Sequence, residues 1–306
     1  MSLNAAASWS ILQYWSPAQL IERDVMSTLK ELIQPNSPEE AVQAYAGGSG
    51  TTLYISGGTI LVHAGASIDT AVDICRIGAR EISAGPDGTL TIGGCARIAD
   101  LARSEAASAV AGGLLTRAAR GIANHTIRNL ATVGGNIVAW HFPTDLPPAL
   151  LALDAVLCVR SGDGEREFPL DLFYTRRRDI FTRGDLITAV RIPNTPGLSG
   201  AFHKVGRKRL DVAIASAAAA VATPDGGALD VRLALGALGV APLRAREAEA
   251  YLVEHGLDVQ TIRHAAGLAV DAARPRGDRR ASADYRRSAA SAAAVRALTE
   301  AAGLQG

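Results

Sequence analysis

The sequence predicts a two-domain protein of mixed α+β type, on three observations. The chain has 306 residues, more than one ordinary core usually takes in. A Pro/Gly cluster, Pro193-Asn-Thr-Pro-Gly197, interrupts the pattern as a domain boundary does. Beyond it, strand-like segments come first and helix-like ones after, the order of an α+β domain.

The first helix start is Ser37-Pro-Glu-Glu40. Ser37 is a capping residue, Pro38 suits the first helical position, and Glu40 completes a capping box. Gly47-Gly48 stops that helix. Thr52–Ile55 reads as a strand, as do Asp73–Ile77 and Thr89–Gly93, the last after the turn Pro86-Asp-Gly88. Ala-rich helical stretches cover about Ile98–Ala109 and Leu114–Ile122. Thr144 or Asp145 can cap a helix over Pro148–Leu153. Ala155–Arg160 and Glu165–Leu170 flank Ser161-Gly-Asp-Gly164 as a hairpin, and Leu186–Ile192 is the last strand before the boundary. The second domain begins with an extended Ala201–Val205 and the apolar Val212–Ala222. A turn at Pro224-Asp-Gly-Gly227 leads to a strand over Leu229–Leu235, and helices follow from about Ala245, Val259 and Asp284.

Composition narrows the function classes. With 31 basic and 30 acidic residues the net charge is +1, so there is no electrostatic footprint for nucleic acid or an anionic membrane. No run of about 18 apolar residues exists, so no transmembrane helix is expected. Cys75, Cys95 and Cys158 stand far apart. They form neither a disulfide framework nor a zinc or iron–sulfur ligand set, and they read as small buried residues. No basic n-region and apolar h-region open the chain, so a cytoplasmic protein is expected. Residues 1–25 hold Trp9, Tyr14 and Trp15, and Met26 follows. This segment reads either as an extension made from an upstream start codon or as an arm that docks through its aromatics.

The chemistry concentrates in two glycine pairs. Ile55-Ser-Gly-Gly-Thr59 and Thr132-Val-Gly-Gly-Asn136 each follow an apolar run that reads as extended. Two glycines in a row remove both Cβ atoms and allow positive φ. Successive N–H groups can then face one concavity and hold an anion. Two such turns predict a ligand with a pyrophosphate, clamped from both sides. No G-x-G-x-x-G follows a strand, and there is no P-loop, Gly-x-Ser-x-Gly elbow or His-Glu-x-x-His pair. His125, His141 and His203 fall near the glycine turns or the second domain's first strand, where a structural role is the plainer reading.

The string Thr126-Ile-Arg-Asn-Leu-Ala-Thr-Val-Gly-Gly-Asn136 resembles the FAD-binding (medium) subunit of the xanthine dehydrogenase and carbon monoxide dehydrogenase family, the molybdenum hydroxylases. The resemblance runs from Gln34 to Arg287. It takes in Ile55–Thr59, Pro143-Thr-Asp145, Asp185–Pro193, Phe202-His-Lys-Val205, Pro242-Leu-Arg244 and Asp284-Tyr-Arg-Arg287. It implies an N-terminal extension over 1–25 and, over 26–195, an FAD-binding domain of the vanillyl-alcohol-oxidase (PCMH) type with two subdomains. A smaller α+β domain of the CO dehydrogenase flavoprotein type, with a three-stranded antiparallel sheet, would occupy 198–306.

Matched position by position, Tyr54, Ile55, Ser56, Gly57, Gly58, Thr59, Ile60 and Leu61 in the first turn would hold the pyrophosphate. Thr132, Gly134, Gly135 and Asn136 in the second would hold it from the other side. Asp145 matches a carboxylate at the adenosine end, Ile122 and Ile187 match apolar contacts, and Lys204 matches a basic contact. The resemblance also implies a large subunit with a molybdenum cofactor, a small subunit with two [2Fe-2S] clusters, and a dimer of such heterotrimers.

No side chain is expected to act as nucleophile or general acid, because FAD links one-electron clusters to a two-electron acceptor. Two other readings are an FAD-free scaffold and a self-contained flavin oxidase. At one point the sequence departs from the family. Arg97 stands where a small hydroxyl residue is usual, and it either reaches phosphate or points outward. Arg128 either neutralises phosphate or braces its loop. Arg176-Arg-Arg178 and Arg207-Lys-Arg209 read as solvated loop charges, or else as a docking rim.

Overall fold

The computed structural model describes residues 29–61, 68–139, 143–222 and 229–304. The sequence readings for residues 1–25 and His141 lie outside them.

Three sheets organise the chain. The first is parallel, in the order β1-β3-β2, with β1 (Glu31–Ile33), β2 (Thr52–Ile55) and β3 (Thr70–Asp73). Helix α1 (Pro38–Gly47) crosses between β1 and β2. Its Ser37 cap accepts from Glu40 N–H at 3.1 Å, while the Glu40 carboxylate reaches back to Asn36 N–H at 2.8 Å. That is a capping box displaced by one residue.

The second sheet is antiparallel, in the order β4-β5-β8-β6-β7. It comprises β4 (Ile82–Ala84), β5 (Leu90–Gly93), β6 (Val156–Ser161), β7 (Gly164–Pro169) and β8 (Leu186–Ile192). Between β5 and β6 lie α2 (Ile98–Leu101), α3 (Glu105–Ala109), α4 (Leu114–Gly121), α5 (His125–Leu130), α6 (Val133–Val138) and α7 (Leu146–Ala152). Short helices α8 (Leu170–Thr175) and α9 (Arg177–Ile180) join β7 to β8. The core of this part gathers Leu90, Ile98, Leu114, Ile137, Leu150, Leu157 and Phe173, all almost fully buried.

The third sheet is also antiparallel: β12-β11-β10-β9, with β9 (Ser199–Val205), β10 (Ala215–Ala222), β11 (Asp230–Gly236) and the two-residue β12 (Leu243–Arg244). Helices α10 (Arg246–His255), α11 (Val259–Ala273) and α12 (Ala283–Ala301) follow. Strand β10 is nearly all alanine and buried along its whole length. Ala215, Ala217 and Ala219 face the helices on one side, while Ala218 joins the core of the preceding domain on the other. Side chains alternate across a strand, so small residues on both faces let layers close in from both sides.

Several expectations need correction. The expected three-stranded sheet of the second domain has a fourth strand, because Leu243 and Arg244 pair with Leu235 and Ala234. Asp73–Ile77 is strand only to Asp73. There the carboxylate accepts from Cys75 N–H at 3.0 Å and starts a 3-10 turn over Ile74–Arg76. Ile98–Ala109 is two short helices, since Ser104 caps the second by accepting from Ala107 N–H. The run Thr126–Leu130 is helical, not extended, because Asn124 accepts from Ile127 N–H at 2.9 Å. Arg177 is no solvated rim charge: its guanidinium lies 5.0 Å from the Phe173 ring and 5.7 Å from the Phe181 ring. Among the described residues no helix is long and apolar enough to cross a membrane.

Candidate functional site

Both glycine pairs meet backbone closely, the second against a third pair, Gly93-Gly94. Gly57 ends the approach of the first turn, and a Cβ there would fall on the carbonyl of Leu130. The backbone of 130–131 therefore lies directly against the first turn. Gly134 N–H donates to Gly94 O at 2.8 Å, and a Cβ on Gly134 would sit 2.9 Å from that oxygen. A Cβ on Gly94 would in turn meet the Ile187 carbonyl on β8. Glycine is required at these points because backbone meets backbone. Gly58 differs: its φ is +63°, and space is open around it.

The two turns are not alike. Among the described residues, nothing accepts from the N–H groups of Gly57, Gly58 or Thr59. The second turn is instead the first turn of helix α6, capped by Thr132. Val133 N–H donates to Ala96 O, Gly134 N–H to Gly94 O, and Asn136 N–H to Thr132 O. Gly135 N–H reaches the Thr132 hydroxyl at a long 3.3 Å. Only that last group is weakly engaged, so the second turn lacks the set of free N–H groups expected of it.

A buried ion pair lies beside α6 and α7. Lys204 on β9 donates to the Asp145 carboxylate at 2.7 Å, to Gly121 O at 2.6 Å and to Asp211 O at 3.1 Å. All three ammonium protons are thus used. Asp145 is 4% exposed, and its second oxygen, Oδ1, has no partner. Burial pushes its carboxyl up to about 6, against the opposing pull of Lys204. Asp145 occupies the cap position of α7 but makes no capping hydrogen bond, and Thr144 donates to Asn136 O at 3.3 Å instead. The capping reading of both residues therefore fails. The Asn136 side-chain oxygen is likewise buried without a partner.

Other expected residues are committed elsewhere. Tyr54 lies tilted against Tyr45, with ring centroids 4.6 Å apart, and its hydroxyl donates to Gly184 O. It offers the turn only its backbone. Ile187 is buried in the core around the second sheet, while Ile122 is half-buried at the end of α4. Ser56 lies 3.9 Å from the Cys75 sulfur. Ile55, Thr59, Ile60 and Leu61 are half-buried. Arg128 donates through Nη1 to the carbonyls of Ile122 and Ala123, at 2.8 and 2.6 Å, and so braces its loop. His203 pairs with Glu300 at 2.7 Å. The carbonyls of Gly121 and Asp211, which help hold Lys204, carry no sequence signal at all.

Residues 26–195 match the family model described as the FAD binding domain in molybdopterin dehydrogenase. Residues 200–301 match that of the CO dehydrogenase flavoprotein C-terminal domain. The chain is 32% identical over 263 residues to the 6-hydroxypseudooxynicotine dehydrogenase complex subunit alpha of Paenarthrobacter nicotinovorans, covering 84% of this chain and 88% of that one. It is 28% identical over 190 residues to the carbon monoxide dehydrogenase medium chain of Hydrogenophaga pseudoflava, covering 61% and 66%.

In structure it is similar to carbon monoxide dehydrogenase from Hydrogenophaga pseudoflava, with TM-score 0.84 and 29% identity over 91% of this chain and 99% of that one. Quinoline 2-oxidoreductase from Pseudomonas putida 86 gives TM-score 0.79 and 26% identity over 90% and 97%. The chain belongs to the family of FAD-binding subunits of the molybdenum hydroxylases.

Proposed function

We propose that this chain holds FAD between its glycine turns and passes electrons from iron–sulfur clusters on a partner subunit to an external acceptor. The carrying observation is the first turn at Gly57–Thr59, whose three N–H groups donate to no described residue, set against the backbone of 130–131. Backbone N–H groups of this kind bind phosphate without a fixed counter-charge. The unpartnered oxygens of Asp145 and Asn136 are the second support, because a buried acceptor left alone is costly unless a ligand donor meets it. Asp145 takes ribose or adenine donors in this reading. Lys204 holds its carboxylate in place, Ile122 gives apolar contact near Gly121, and Ile187 acts through its backbone.

Bound there, FAD accepts electrons singly and delivers them in pairs. The protein's part is placement, exclusion of water and tuning. The FAD-binding unit spans 26–195, of the vanillyl-alcohol-oxidase (PCMH) type, and the second domain spans 198–306. The molybdenum cofactor belongs to a large partner subunit and two [2Fe-2S] clusters to a small one, in a dimer of heterotrimers. Three free cysteines with no disulfide among the described residues fit a cytoplasmic site.

The test is direct. The purified chain, alone or with its partners, should show flavin absorbance near about 450 nm and release FAD on denaturation. A colourless protein that takes up no added FAD would overturn the reading in favour of a scaffold. Turnover of an organic substrate by the chain alone would favour a self-contained oxidase.

A further inference from the structure

The second turn has spent all but one of its backbone donors on protein carbonyls, so a diphosphate there needs another source of positive charge. Arg97 stands in the right place. Ile98 N–H donates to Ala131 O, and Val133 N–H to Ala96 O, each at 2.9 Å. These two bonds make Arg97 and Thr132 an antiparallel bridge pair. It is the pair without hydrogen bonds between its own members, in which the two side chains stand closest together on one face. The Arg97 side chain therefore rises beside the Thr132 side chain, next in sequence to the 130–131 backbone that lies against Gly57.

Arg97 is exposed and makes no ion pair or side-chain hydrogen bond among the described residues. The nearest carboxylate in sequence, Asp100, is engaged by Arg103 at 3.0 Å. Arg128, the other arginine close in sequence to Thr132, is tethered through Nη1 to two carbonyls of its own loop.

We propose that Arg97 supplies the counter-charge for the cofactor's diphosphate, beside Thr132 and opposite the N–H groups of Gly57–Thr59. The inference rests on the FAD reading and adds a residue to it. A guanidinium presents a planar fork of donors that matches phosphate oxygens in pairs. It makes up at the second turn for the N–H groups that the first turn presents and the second does not.

The test uses the full chain, stripped of flavin and titrated with FAD, ADP and riboflavin. Arg97→Ser restores the hydroxyl usual in the family. It also puts a favoured capping residue at the start of α2, so the fold should not suffer. FAD and ADP should each bind on the order of tenfold more weakly to the variant, the loss of one charge-assisted contact. Riboflavin, which has no phosphate, should bind equally to both. Arg97→Lys should recover part of the loss. The wild-type advantage should shrink as salt is raised.

Equal FAD affinity in wild type and Arg97→Ser at low salt would overturn the inference and leave the FAD reading standing. So would an equal loss for riboflavin. A wild-type chain that binds neither FAD nor ADP would sink the FAD reading itself.

Discussion

The two glycine pairs look alike in sequence and do different work in the fold. Gly57-Gly58 sits in a bend with positive φ at Gly58 and with N–H groups that donate to no described residue. Gly134-Gly135 begins a helix whose N–H groups are nearly all taken by neighbouring carbonyls. The first pair is glycine because the Leu130 carbonyl lies against Gly57 and Gly58 takes positive φ. The second is glycine because Gly94 lies against it. A glycine doublet thus reports that something approaches closely; whether that is a ligand or the protein's own backbone is decided by long-range packing.

The sharpest break of this comparison is Gly57→Val. Its side chain would be driven into the Leu130 carbonyl, between two backbone segments with no flexible side chain to yield. We expect a loss of about 4 kcal/mol or more, at the upper end for overpacking, together with loss of FAD uptake. Urea unfolding and flavin titration measure both. A variant as stable as wild type would mean that the first turn does not rest on 130–131.

Lys204→Met comes next. It leaves Asp145 buried beside an apolar side chain, and breaking a buried pair on one side costs about 3 kcal/mol or more. The pairing also joins β9 to the segment before α7, so the effect should appear as weaker docking of the two domains. Adding Asp145→Asn to Lys204→Met should restore stability in part. A double variant that is simply the sum of the two singles would show that the two groups are not coupled.

The same carboxylate gives a pH signature. Its folded-state value is raised from 3.8 to about 6 by burial, so between those values the folded chain binds the proton more tightly than the unfolded one. The stability this confers is fully present below about pH 4 and is lost as pH rises through about 6. The difference in stability between wild type and Asp145→Asn should therefore change across that window, by at most a few kcal/mol, and be flat above it. A flat difference throughout would place Asp145 in an ordinary solvated setting.

Much of the architecture was legible from the residues. Thr52–Ile55 and Leu186–Ile192 are β-branched and apolar runs that end at turn residues, and the fold keeps both as strands. The helix starts near Ala245, Val259 and Asp284 were readable from composition, and all three exist. What failed was local competition. Thr126–Leu130 looks extended because Thr and Ile favour strands, yet Asn124 caps it as a helix. Thr132 looks like the end of a strand because the hydroxyl that caps α6 also suits a turn. Long-range facts were illegible in principle. Lys204 meets Asp145 across 59 residues, and Gly134 rests on Gly94 across α2–α5. The family resemblance pointed to Asp145 and Lys204 singly, but not to their bond.

Gly134→Ala tests the second pair more gently than valine would. The new methyl carbon sits 2.9 Å from the Gly94 carbonyl, so backbone must shift by a few tenths of an ångström. Helix position alone favours alanine over glycine by about 1 kcal/mol. The net expectation is a loss of about 1–2 kcal/mol. FAD binding should weaken only as far as that shift disturbs Thr132 and Arg97. If FAD affinity fell a hundredfold with stability intact, the second pair would be facing ligand directly, and the distinction between the two turns would be wrong.

Thr132→Val carries the smallest expected effect and separates the cap from the ligand. Valine keeps the branched shape beside Arg97 but removes the hydroxyl that accepts from Gly135 N–H at 3.3 Å. So long a bond stabilises little, and losing a cap of this kind costs about 1 kcal/mol or less. The change also frees the one N–H in this turn that is not firmly engaged. If phosphate uses that N–H, releasing it from its cap should leave FAD binding unchanged or slightly tighter even as the apoprotein loses stability. If instead the hydroxyl itself contacts phosphate, FAD and ADP should both bind more weakly while riboflavin does not. Measured beside Arg97→Ser, the three ligands show whether hydroxyl, guanidinium or backbone serves the second turn.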